Sequence, residues 1–157
     1  MKIKLLVVGK TEDRDLQSLI GEYQKRLAHY IRFQLQVIPS LKGAKNRSVA
    51  EQKQLEGQAI LTRLEPSDTL ILLDENGSTY SSVGFAKELQ KYMNAGTRQL
   101  VFVIGGPYGF SEEVYGRAKK KISLSRMTFS HQMIRLFFTE QLYRAFTILR
   151  NESYHHQ

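Results

Sequence analysis

Cysteine is absent from all 157 residues, which excludes a disulfide scaffold and thiolate metal sites and suits the cytoplasm. Long apolar runs are absent too. None approaches the about 18–20 residues that span a bilayer, so no membrane association is expected. The opening Met1-Lys2-Ile3-Lys4-Leu5 carries no cleavable signal pattern, in keeping with a cytoplasmic expectation. No internal repeat, low-complexity tract or break in composition marks a linker. Acids are scarce beside bases, 15 against 23. What is present is an ordinary globular composition, 41% hydrophobic and 24% charged, which excludes a disordered chain and fits one domain over 1–157.

The net charge of +8 is unevenly spread. Residues 117–157 hold eight Lys and Arg against Glu140 and Glu152, a local excess of +6. Such asymmetry points to an anionic partner for the C-terminal part, with nucleic acid in front; a solvated basic face competes evenly with it.

Strand-like and helix-like segments alternate. Ile3–Val8 reads as a buried strand closed by Gly9, and apolar residues from Asp15 to about Tyr30 recur at helical spacing. Phe33–Ile38 alternates as a strand does and stops at Pro39; a basic loop follows with Lys42, Lys45 and Arg47. Ser48-Val49-Ala50-Glu51 has the form of a capping box, and Pro66 bounds its helix. Thr69–Leu73 predicts a third strand ending at Asp74 before an Asn76-Gly77 turn. A helix capped by Ser81 or Ser82 follows, then the strand Leu100–Ile104, a helix from Ser111, a short strand Ile122–Leu124 and a last helix from His131 to about Arg150. The alternation predicts an α/β fold, a single domain with a mainly parallel sheet.

Three segments fall at strand ends, where open α/β sheets collect ligands. Gly105-Gly106-Pro107-Tyr108-Gly109 follows a strand, yet matches neither the dinucleotide fingerprint nor a P-loop; a ligand loop and a plain tight turn both fit. Leu73 ends the neighbouring strand, as core or as a rest for a flat apolar group. Ser125-Arg126-Met127-Thr128-Phe129-Ser130 mixes hydroxyl and apolar groups, suiting an amphipathic ligand or an ordinary connection. The last helix is apolar nearly all round, which calls for cover on several sides and suggests a homodimer. His131 and Arg135 would share its N-terminal face, and Glu140 would pair with Arg144 at i+4. Tyr154-His155 near the terminus reads as a frayed end or as a stacking pair for an exposed base. No spacing suits a metal site.

The ordered set Met1-Lys2-Ile3, Val8-Gly9-Lys10, Leu72-Leu73-Asp74, Phe102–Gly109, Leu124–Phe129, His131-Gln132, Arg135, Glu140–Ala145 and Tyr154-His155 resembles the large-subunit ribosomal RNA pseudouridine methyltransferase H family of the SPOUT superfamily, over essentially the whole chain. The resemblance implies an S-adenosylmethionine-dependent enzyme that methylates N3 of a pseudouridine in large-subunit (23S) rRNA. It also implies a C-terminal deep trefoil knot and a homodimer. By the same resemblance Leu73, Gly105, Leu124, Ser125, Arg126, Met127, Thr128 and Phe129 would bind the cofactor. Two positions depart from the family pattern: Ser130 stands where proline is common, and His156 where a base often follows Tyr-His.

On this basis Arg135 and His131 are expected to hold or polarise the base, with Tyr154 and His155 closing over it from the other subunit. Which group takes the N3 proton stays open. Arg126, Arg144 and the Lys119-Lys120-Lys121 run are expected to contact phosphates of the rRNA or ribosome. The alternatives are a nucleotide-binding oxidoreductase, which the glycine spacing opposes, and a non-enzymatic RNA-binding or ribosome-associated domain.

Overall fold

A computed structural model describes residues 1–156; Gln157 lies outside them. Five strands form one sheet in the order β2-β1-β4-β3-β5, every neighbouring pair parallel. They are β1 (Lys2–Val8), β2 (Arg32–Ile38), β3 (Thr69–Thr79), β4 (Gln99–Ile104) and β5 (Lys120–Ser123). The helices are α1 (Arg14–Leu27), α2 (Val49–Leu61), α3 (Ser82–Asn94), α4 (Glu112–Arg117) and α5 (Met133–Leu149), with a short 3-10 turn at Ala44–Asn46.

Side chains alternate across a strand, so one continuous apolar run feeds two cores. Ile3, Leu5 and Val7 of β1 join Phe102 and the α1, α3 and α5 residues Leu27, Phe85, Phe138 and Leu142. Leu6 and Val8 join Val101, Val103, Ile60 of α2 and Val114 of α4 on the other face. The rings of Phe102 and Phe138 meet at 4.8 Å and seat α5 on the sheet. The flanks of α5 are covered by α1 and α3 of its own chain, and the apolar surface left open lies at its N-terminal end, around Met133, Phe129 and Met127, the last 76% exposed.

Local caps set the helix starts. Asp13 accepts from the Asp15 and Leu16 amides, Ser81 from Gly84 and Ser111 from Val114, and Ser48 with Glu51 completes both halves of the expected capping box. The start of α5 differs. His131 precedes the helix, so it shares no helical face with Arg135, and Ser130 Oγ accepts the Met133 amide at 3.1 Å.

β3 and β5 also depart from expectation. β3 continues through Asn76-Gly77 rather than turning there, and β5 ends at Ser123, one residue before Leu124. Leu73 and Ser78 both stand opposite Ile122, so Asp74–Gly77 bulge out of the ladder. Gly77 lies so close to β5 that a Cβ there would come within 2.5–2.7 Å of the Ile122 backbone. Backbone cannot yield as a flexible side chain can. Gly77→Ala is therefore expected to cost about 1–3 kcal/mol, lowering the thermal midpoint by about 2–4 °C per kcal/mol. An unchanged midpoint in a melting experiment would show that the bulge re-forms without strain.

Candidate active site

The carboxyl ends of β3, β4 and β5 open into one cavity of about 530 Å³. The bulge supplies Leu73 and Asp74–Asn76, the β4–α4 connection supplies Gly105–Phe110, and the segment leading into α5 supplies Leu124, Ser125 and Met127–His131. Three stretches far apart in sequence thus share one wall, because parallel strands send all their carboxyl ends to the same edge. Leu73, Gly105, Leu124, Ser125, Met127, Thr128 and Phe129 all line the cavity, as does His131. Arg126 does not; it is exposed outside that wall.

The third stretch is held by its own hydroxyls. Ser123 Oγ donates to the Ser125 carbonyl at 2.7 Å, Ser125 Oγ accepts the Met127 amide at 2.9 Å, and Phe129 packs edge-on against Phe137. The glycine loop is backed by α2. A Cβ on Gly106 would lie 2.7 Å from Glu56 Oε2, and Glu56 is itself buried against this turn. A side chain there would have to displace the Glu56 carboxylate.

Two groups on the wall escaped the reading by motif. Tyr115 of α4 donates its phenol to Asp74 Oδ2 at 2.6 Å, and Asp74 Oδ1 accepts the Asn76 amide at 2.8 Å. Burial, then the hydrogen bond to Asp74, push the Tyr115 phenol up to about 12. Asp74 carried a signal, since it follows Leu73 at a strand end; Tyr115 carried none. The charge on the wall is equally informative. In a chain of net charge +8, the cavity is lined by Asp74 and Glu75 and by no Lys or Arg. Among the described residues, no three His, Asp or Glu side chains gather as metal ligands, and no helix is long and apolar enough to cross a membrane.

Arg135 lies beneath the cavity and does not line it. It is completely buried, and its guanidinium donates to the carbonyls of Val8 (2.8 Å) and Gly9 (2.9 Å), to Thr11 Oγ1 (3.0 Å) and, through Nε, to the His131 carbonyl (3.0 Å). Four of its five donors are spent, which leaves little to hold a substrate base. Desolvation pulls its pKa down from the ordinary guanidinium value; a guanidinium remains charged regardless.

Tyr154 and His155 also stand off the cavity of their own chain, but they are not frayed. Tyr154 donates to Glu140 Oε1 at 2.9 Å, its hydroxyl lies 3.3 Å from that of Tyr23, and Arg144 sits over its ring and 3.3 Å from His155 Nδ1. Burial and these hydrogen bonds raise the Tyr154 pKa. Glu140 holds Arg144 as expected.

That pairing revises the charge map. Arg144 is bound to Glu140, Lys120 to Glu88 and the Tyr80 hydroxyl, and Arg117 to the carbonyls of Glu65 and Asp68. Lys121 lies over the Tyr115 ring. Part of the C-terminal excess is therefore engaged inside the molecule; of the cations expected to face phosphates, Lys119, Lys121 and Arg126 are exposed.

A family model described as "Predicted SPOUT methyltransferase" matches residues 1–155. The chain is 64% identical to "Ribosomal RNA large subunit methyltransferase H" of Flavobacterium johnsoniae over all 157 residues, covering the whole of both proteins. Proteins of the same name from Flavobacterium psychrophilum and Parabacteroides distasonis are 61% and 57% identical, again over the full length of both.

Two outcomes follow from the site's geometry. Arg135→Lys supplies a point donor that cannot span both carbonyls, Thr11 and His131, and is expected to cost about 2–4 kcal/mol in denaturant unfolding; a loss under about 0.5 kcal/mol would remove the clamp's importance. The Tyr115 phenol, protonated to higher pH in the folded state than in the unfolded, gives stability that is complete below about pH 10 and lost as pH rises through about 12. Alkaline spectrophotometric titration of Tyr115→Phe should accordingly lack one late-ionising tyrosine.

Proposed function

Since the chain belongs to the SPOUT methyltransferase family, we propose that it methylates large-subunit ribosomal RNA from S-adenosylmethionine, at N3 of a pseudouridine. The observation that carries the choice of cofactor is the cavity wall, with its two carboxylates and no cation. A phosphate-bearing dinucleotide would be repelled there, whereas a sulfonium cofactor with a flat adenine suits carboxylates beside Leu73, Leu124 and Phe129. Bound in this cavity, S-adenosylmethionine would supply a methyl group already activated for transfer. The residues proposed to hold it are Leu73, Gly105, Leu124, Ser125, Met127, Thr128 and Phe129, with Arg126 at the outer edge.

The protein's task is then alignment, worth up to about 7–11 kcal/mol in well-oriented reactions. His131, on the rim, is assigned to hold or polarise the base as N3 gives up its proton. Arg135 serves as a positioning residue, since it ties the His131 carbonyl to the end of β1. Tyr154 and His155 are assigned to the cavity of a partner subunit in a homodimer, an arrangement supported by their absence from their own cavity and by the exposed Tyr108, Met127 and Phe129 that line it. We further infer, from family membership, one cytoplasmic domain over 1–157 with its C-terminal segment knotted.

Calorimetric titration with S-adenosylhomocysteine and methyl transfer to ribosomes lacking the modification test this reading. Micromolar binding and transfer are expected; RNA binding without either would leave a non-enzymatic RNA-binding domain. Truncation after Ser153 should leave cofactor binding intact and cut transfer by at least about 10²-fold, the scale of a lost acid–base or orienting group. Undiminished turnover in that variant would end the tail's assignment.

A further inference from the structure

We propose that the loop joining β2 to α2, Leu41–Arg47, is a phosphate-contacting rim that holds the RNA backbone beside the cavity; this rests on the RNA-methylating reading above. The loop carries Lys42, Lys45 and Arg47 and no acid. The next acid along the chain, Glu51, is committed to the Ser48 capping box. Lys42 and Lys45 are exposed, and among the described residues neither enters an ion pair. Arg47 is half-buried, with Nη1 shielded from solvent and without a hydrogen-bond partner among the described residues, and its charge adds to the positive potential of the two lysines.

Placement supports the same conclusion. The loop leaves the carboxyl end of β2, the edge where the cavity opens, and β2 lies two strands from β4, about 10 Å away. A chain of contacts links the two. Gly9 donates its amide to Ile38 at 2.8 Å, and the Ser40 hydroxyl lies 2.8 Å from where a Cβ on Gly9 would stand. Gln132 then bridges the turn after β1 to α5: its amide group donates to the Lys10 carbonyl at 3.2 Å and accepts from the Glu12 amide at 3.0 Å. Gln132 adjoins His131 on the cavity wall. Of the acids in that turn, Asp13 caps α1 and Glu12 acts on the charge of Arg135.

Charge then divides the edge into two regions. The acid-lined cavity repels phosphate, while the loop attracts it, so a strand whose backbone follows the loop presents a base, not a phosphate, to the cavity. Of the C-terminal cations, Arg135, Arg144, Lys120 and Arg117 are engaged internally, while Lys119, Lys121 and Arg126 stay exposed around β5, at the far end of the strand order from β2.

The test is Lys42→Ala/Lys45→Ala, two exposed positions chosen so that folding is spared, with Lys42→Glu/Lys45→Glu as the stronger variant. Affinity would be measured across salt for unmodified large ribosomal subunits and for their naked RNA, beside calorimetry with S-adenosylhomocysteine. The Ala pair should weaken both RNA-containing ligands on the order of tenfold at about 0.1 M salt and reduce the salt slope by about 1.5–2. The Glu pair should weaken them further, with affinity for S-adenosylhomocysteine within about twofold. Wild-type affinity and slope in both variants would overturn the proposal. So would weakened binding to subunits alone with naked RNA unaffected, which would place a ribosomal protein on the loop. Wild-type protein that transfers no methyl group to any ribosomal acceptor would overturn the methyltransferase reading separately, the loop then being judged by the RNA salt slope.

Discussion

One buried guanidinium ties the amino-terminal half of the molecule to the carboxy-terminal half. Arg135 takes the last carbonyl of β1, the next carbonyl at Gly9, a hydroxyl from the following turn and the His131 carbonyl, four acceptors that no apolar contact could satisfy. A charge so fully removed from water is costly unless every donor finds an acceptor, and so its partners are specified narrowly. The consequence reaches the surface. With β1 and the start of α5 joined below and Gln132 joining them again above, the segment Ser125–His131 is anchored at its far end, and the cavity has a defined third wall.

Electrostatics sets that wall apart from the rest of the molecule. A net charge of +8 invites a simple account in which the protein is a cation that meets RNA. The structure distributes it more finely. Arg144, Lys120 and Arg117 hold the fold together, two carboxylates face the cavity, and exposed lysines stand on the loop beyond β2. On the proposed function, a small methyl donor carrying positive charge and a large polyanion would use the same sheet edge without competing for the same groups.

The fold was legible to a considerable depth. Runs such as Leu100–Ile104 announce strands buried on both faces, and Ser48 with Glu51 marks a helix start through backbone amides that must be capped wherever the helix lies. The errors share one cause. Asn76-Gly77 is strong turn chemistry, yet pairing with Ile122 draws β3 past it as a bulge, a choice made by a strand 45 residues away. Part of the cover that α5 needs comes from α1 and α3 of the same chain, which periodicity cannot show, while its N-terminal end stays open.

Sequence by itself determined the alternation of strands and helices, the three strand-end segments and, through their ordered resemblance, the family, because these rest on local spacing and residue type. Only the tertiary structure decided which side chains remain free. Arg135 went under the cavity, Tyr115 came onto its wall to meet Asp74, and Tyr154 folded onto Glu140, away from its own chain's cavity. The physical reason is that a hydrogen-bonding group is available to a ligand only if folding has not already given it a partner. That partner usually lies far along the chain, 127 residues away for Arg135 and Val8.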